Sequence, residues 1–154
     1  MFCVRLFLSN FIAMKFFLLP ALFFIFTFNG FAQNGKVSVE VTGINSDKGG
    51  VLKVGLYKEN DFPLIGKEFA GKDIRINNGK MTADFIDIPE GSYAVAVFQD
   101  INNDGKLSTN FLGIPTEPYG FSKNKFGTFG PPDFKEVSFE IKEGNTVTLT
   151  INMK

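Results

Sequence analysis

Between Lys36 and Ile151 apolar residues recur at every second position, and this alternation constrains the fold more than any other property of the chain. It runs through Val37, Val39 and Val41; Leu52, Val54 and Leu56; Ile74 and Ile76; Met81, Ala83 and Phe85; Tyr93, Val95 and Val97; Val137, Phe139 and Ile141; and Val147, Leu149 and Ile151. Successive side chains of a strand point to opposite faces, so each segment buries one face and wets the other. None has helical spacing. Seven short strands separated by turns predict an all-β domain, a seven-stranded immunoglobulin-like or transthyretin-like sandwich, with a closed barrel as the alternative. Tyr93–Gln99 is apolar on both faces and is expected in the middle of a sheet. Asn78-Gly79 predicts a hairpin, because both positions of a two-residue turn need positive φ, and Glu143-Gly144-Asn145 predicts a second one between the last two strands. The less regular Tyr57–Lys72 segment is expected to carry a helical turn around Phe62–Phe69.

Ahead of the strands, Phe16 to Phe28 is a 13-residue apolar run, preceded by Lys15 and followed by Asn29-Gly30-Phe31-Ala32. A positive start, an apolar centre and small residues at −3 and −1 predict a signal peptide over residues 1–32, cleaved before Gln33. The alternative, a retained membrane anchor, needs about 20 apolar residues. Met14-Lys15 would be an ordinary start for such a leader, so Met14 is an alternative initiation site. Residues 33–154 then form a single exported domain, periplasmic or extracellular, with no membrane span after cleavage.

Composition narrows the chemistry. Arg5 and Lys15 lie in the leader, leaving 14 cations against 16 acids and a net charge of −2 for residues 33–154. Nucleic-acid binding requires a basic footprint, which is missing. The one cysteine, Cys3, is in the leader, and the chain has no histidine. The exported part therefore has neither a disulfide nor a thiolate, and lacks the usual general base and the usual zinc ligand.

The 35 residues from Asp100 to Phe134 form a connection far longer than the usual 4–6, which marks it as functional or disordered. It is too rich in aromatic residues to stay solvated, so a structured loop is expected. It opens with Asp100-Ile101-Asn102-Asn103-Asp104-Gly105-Lys106-Leu107-Ser108, the first part of a calcium loop. Ca²⁺ takes 6–8 oxygens, and Asp100, Asn102, Asp104, the backbone carbonyl of Lys106 and Ser108 would supply them to a structural ion. The bidentate acid expected at the twelfth position is replaced by Phe111, and the other reading is an Asx-rich turn. Tyr119, Phe121, Phe126 and Phe129 are ligand-binding candidates for a glycan or protein partner, or a small core beneath the loop.

The run Phe85-Ile86-Asp87-Ile88-Pro89-Glu90-Gly91-Ser92-Tyr93, the Asn/Asp/Gly loop, Leu112-Gly113-Ile114-Pro115, Tyr119-Gly120-Phe121-Ser122 and Phe129-Gly130-Pro131-Pro132 together resemble the secreted bacterial family called domain of unknown function 2141. The resemblance covers nearly all of residues 36–154 and implies an extracytoplasmic β-sandwich. The Ile88–Tyr93 run is also similar to the corresponding strand start in transthyretin-like and carboxypeptidase-regulatory-like domains. Gln99 stands where many relatives in the family carry His, which removes that position as a metal ligand here. Neither resemblance implies an activity. The expected function is a non-catalytic exported module that binds a glycan or protein through the 100–134 loop. The alternative is a small hydrolase using carboxylates such as Asp100, Asp104 and Glu117.

Overall fold

The computed structural model describes residues 34–154; the expected leader and its cleavage site lie outside the described residues. The described chain carries β1 (Gly35–Thr42), β2 (Val51–Tyr57), β3 (Ala70–Arg75), β4 (Lys80–Ile88), β5 (Gly91–Asp100), β6 (Tyr119–Phe121), a one-turn helix α1 (Phe134–Val137), β7 (Phe139–Ile141) and β8 (Thr146–Asn152). Seven strands coincide with the alternating segments. The eighth, β6, falls inside the long connection, where three residues are too few to register as a period. Val137, expected to open a strand, instead ends α1, whose Asp133 N–H donates to the Glu136 carboxylate (3.3 Å). The helical turn expected around Phe62–Phe69 comes earlier, at Glu59–Asp61. No helix among the described residues is long and apolar enough to cross a membrane.

The strands form two sheets, β4-β1-β8 and β3-β2-β5-β6, with β7 also on β5. In β1 the alternation works as read: Val37, Val39 and Val41 are fully buried, while Lys36 and Glu40 point outward to Asp84 (3.4 Å) and Lys80 (2.8 Å). These exposed pairs contribute little to stability. β1 runs antiparallel to β4 and parallel to β8. In the second sheet β5 is central, as expected. One edge pairs with β2 from Ala94 to Asp100, and the other is shared, Gly91–Tyr93 going to β7 and Ala96–Phe98 to β6. The inner faces meet in one core, in which Val39, Ala83 and Ile151 of the first sheet pack with Leu52, Val54, Val95 and Val97 of the second. At about 25 cal/mol per Å² of apolar surface removed from water, this core is the main source of stability in a unit without disulfides. The described residues lie in one compact unit, which contains the eight strands found among them and both apolar clusters described below.

Neither expected hairpin forms. Asn78 and Gly79 do not take positive φ, and β3 and β4 belong to different sheets. Ile76 explains the outcome: its side chain is buried in the main core and its N–H donates to Gly50 O (3.2 Å), so the chain is committed to crossing the core before it reaches Asn78. The Glu143–Asn145 turn does form, with Gly144 at φ +67° and Asn145 N–H donating to Lys142 O (3.1 Å). Lys36 N–H then captures Asn145 O (2.9 Å), which sends the chain to β1 rather than back along β7.

Candidate functional site

The long connection leaves β5 at Asp100 and is organised by side chains that accept from its own amides. Asp100, nearly fully buried, accepts from the N–H groups of Asp104 (3.1 Å) and Gly105 (2.9 Å). Asn102 Oδ1 accepts from the same Asp104 N–H (3.1 Å), and Asp104 accepts from Lys106 N–H (2.8 Å). Asn102 Nδ2 donates to Asp104 (2.9 Å) and Ser108 Oγ (3.4 Å). Glu117, only 6% exposed, closes the loop: its two oxygens accept from Ile101 N–H and Ser108 N–H, both at 2.8 Å. Asn110 caps the next turn by accepting from Leu112 and Ile114 N–H (both 3.0 Å). Asx side chains satisfy turn amides in this manner wherever the backbone leaves its ladder. The five residues named for calcium are thus brought together in one turn. No group of three or more His, Cys, Asp or Glu able to hold a metal occurs among the described residues.

The turn carries the rest of the connection back onto the outer face of the second sheet. Gln99 N–H donates to Pro118 O (2.9 Å), and Tyr119 exchanges backbone hydrogen bonds with Lys154 (3.2 and 3.1 Å). Tyr119, Phe121 and Phe126 meet edge to face at 5.6–6.1 Å, and Phe62 packs against Phe121 (5.8 Å) and Phe134 (5.9 Å). With buried Ala94 and Val137 these rings form a second apolar cluster. Three of the four aromatic candidates are therefore packed together, Phe121 almost completely. Phe129 is fully exposed at a loop tip. Ser122 ties the cluster down: its Oγ accepts from Val95 N–H (3.0 Å) and donates to Val137 O (2.6 Å).

Strand register builds a groove beside this cluster. Asp73, Lys53, Phe98 and Tyr119 stand side by side across β3, β2, β5 and β6, and the next row on the same face is Gly71, Gly55, Ala96 and Phe121. The Tyr57 ring and Glu68 stand over Gly55, small Gly71 and Ala96 leave lower ground on either side, and the flanking loops border the groove through Ile65, Leu112, Ile114 and Phe129. The groove has a volume of about 910 Å³, within the range of small-molecule sites. Gly55 is required there, because a Cβ would come within 2.5 Å of the Tyr57 ring and 2.8 Å of Glu68 Cγ. Polar groups along the groove are engaged with one another. Lys53 binds Asp73 (2.8 Å), which raises the lysine pKa above its ordinary value. The Tyr57 hydroxyl donates to Glu68 (3.0 Å), which also accepts from Gly66 N–H (2.9 Å). Burial pushes the Tyr57 phenol pKa up, and the Glu68 bond adds to the shift.

A family model for the domain described as "Uncharacterized protein conserved in bacteria" matches residues 39–149. The chain belongs to the DUF2141 family. The matched span of this DUF2141 chain runs from within β1 to within β8 and includes the amide-caged turn and every groove-lining residue except Lys154. Searches of the curated proteins and of the solved structures found no match.

Sequence reasoning missed the groove. Its one local signal was the pair Ala94 and Ala96 in β5, small residues on the face that a central strand turns away from the main core. The loop residues Ile65, Leu112 and Ile114 gave no signal, since their position beside the groove follows from long-range pairing. Gln99 is accounted for structurally: fully buried, it donates to Asn45 O (2.8 Å) and Gly49 O (2.7 Å) and accepts from Asn45 N–H (2.9 Å), pinning the β1–β2 connection.

Proposed function

We propose that this DUF2141 chain is an exported, non-catalytic binding module of immunoglobulin-like or transthyretin-like sandwich type, whose working surface is the outer groove walled by the 100–134 connection. The observation that carries the reading is the clustering of exposed apolar residues. Of the eight large hydrophobics exposed among the described residues, Ile65, Leu112, Ile114 and Phe129 border this one groove. A contiguous apolar surface over a sheet whose two central strands are paired along both edges is characteristic of ligand and partner sites. The apolar walls favour the apolar face of a protein or small molecule over a glycan, whose hydroxyls need polar partners. Export to the periplasm or beyond is supported by the apolar run and small-residue exit of residues 1–32. The hydrolase alternative has less support, because Asp100, Asp104 and Glu117 each already accept from backbone amides of their own loop.

The test is saturable binding of an environment-sensitive apolar dye to residues 31–154. Binding that is lost in Leu112→Asp, with the melting temperature unchanged, supports the reading; equal binding by both proteins refutes it. A structural Ca²⁺ at Asp100, Asn102, Asp104, Lys106 O and Ser108 is a companion proposal, supported by Asp100 Oδ1 and Asn102 Oδ1 converging on one amide. Melting in chelator, Ca²⁺ and Mg²⁺ tests it. A rise with Ca²⁺ alone, abolished by Asp104→Ala, assigns the ion, and coincident melts assign an ordinary turn.

A further inference from the structure

We infer that the groove takes a single unbranched acyl chain ending in a carboxylate, a fatty-acid-like amphiphile, with its anionic end at Lys154. The inference rests on the binding-module reading and names the ligand class of that same site. The first argument concerns what the floor can offer. β2 and β5 are each paired along both edges, so Gly55, Ala96 and Phe98 present no free backbone donor or acceptor to a ligand. Among the described residues every buried side-chain polar atom has a partner, and Lys53, Tyr57 and Glu68 are engaged as described. A peptide backbone or a sugar laid on this floor would lose its water contacts over β2 and β5 and find polar side chains only at Thr109, Thr128 and Lys154 of the lining. A methylene chain has no such requirement.

The second argument is charge. The row Lys53, Phe98, Tyr119 is extended by Lys154, which pairs with Tyr119, so a lysine stands on each side of two rings. Asp73 neutralises Lys53. The Lys154 ammonium lies 3.9 Å from the Phe126 ring centroid and 5.3 Å from that of Tyr119, and among the described residues no side-chain carboxylate pairs with it. Two ring faces hold the cation at the groove wall and leave its hydrogen-bond donors available. Lys72 also borders the groove, but pairs with Val54 and so points to the opposite face of β3. Toward β2 the wall carries Glu68, whose charge disfavours an anion there. From β3 to Lys154 the groove crosses four strand spacings, about 19 Å at ~4.8 Å each, the reach of an extended long acyl chain.

The experiment titrates residues 31–154 with dodecanoate, dodecanol and dodecyltrimethylammonium, following the amide signals of Gly55, Gly71 and Ala96. Dodecanoate is expected to bind most tightly. Lys154→Gln should weaken it about five- to tenfold while leaving dodecanol unchanged. Gly71→Leu, whose Cβ would meet only Glu68 at 4.0 Å and whose longer side chain would enter the groove, and Leu112→Asp should each weaken dodecanoate at least tenfold. Ile86→Asp, exposed outside the groove, should leave it unchanged. Equal affinity for dodecanoate and dodecanol, or no effect of Lys154→Gln, overturns the anionic end. Binding of a Val/Leu-rich extended peptide, or of anionic phospholipid vesicles, in place of all three amphiphiles overturns the ligand class and leaves the binding-module reading standing. No binding of any probe, with the Leu112→Asp protein indistinguishable throughout, overturns both.

Discussion

Glu117→Ala tests most directly what holds the long connection in place. The Glu117 carboxylate accepts from Ile101 N–H and Ser108 N–H at 2.8 Å each, and it is 6% exposed. Truncation leaves two amides without a partner. A stripped buried donor costs roughly 1–3 kcal/mol, and since Ile101 and Ser108 are half-buried, water can reach them in part and the lower half of that range applies. The expected loss is about 2–3 kcal/mol. With a urea m-value of about 2 kcal/mol per M, the midpoint should fall by about 1–1.5 M. Hydrogen exchange gives the local readout: the Ile101 and Ser108 amides should lose protection, while Val39 and Val95 in the main core follow global stability alone. Glu117→Gln keeps the length and one carbonyl acceptor, and should lose about half as much. A midpoint shift below about 0.3 M, with unchanged protection at Ile101 and Ser108, would refute the view that this carboxylate fastens the groove wall.

Gln99→Leu removes three hydrogen bonds to Asn45 and Gly49 at a fully buried position; a loss of about 2–4 kcal/mol is expected in urea unfolding, with the exchange protection of residues 43–50 reduced. Gly50→Ala places a Cβ at φ +88° against the backbone of Asp100 and within 2.8 Å of Ile101 Cα, so a melting temperature lower by at least about 5 °C is expected. Stability should also fall above about pH 10. Tyr57, through burial and then Glu68, and Lys53, chiefly through Asp73, both have raised pKa values in the folded state. Their contribution is complete below the unfolded values and is lost as pH rises through the folded ones. Urea midpoints at pH 8 and pH 11 measure the fall, which should be shallower in Tyr57→Phe; an equal fall in both proteins would remove Tyr57 from the account.

Much of the fold was legible in the sequence, because period-two alternation is a local property: a strand that buries one face must place Val37, Val39 and Val41 on the same side wherever the strand lies. The central place of β5 was legible for the same reason, since apolar residues on both faces require cover on both. The Asp/Asn/Gly turn was also readable, as its side chains bond to amides only two to five residues away. Strand pairing is not local. Asn78-Gly79 has the composition of a hairpin, yet Ile76 is drawn into the core and the Gly50 bond carries the chain to the other sheet. The groove depends on pairing still more: Gly71, Gly55 and Ala96 share its floor only because β3, β2 and β5 align them, and Lys154 reaches it only through its pairing with Tyr119. The sequence by itself determined seven of the strands, their core faces and the presence of a turn at Asp100–Ser108, each a matter of neighbours along the chain. The tertiary structure alone decided which edges meet, and with them the groove, because backbone hydrogen bonds between strands carry no residue identity and are selected by how the whole core packs.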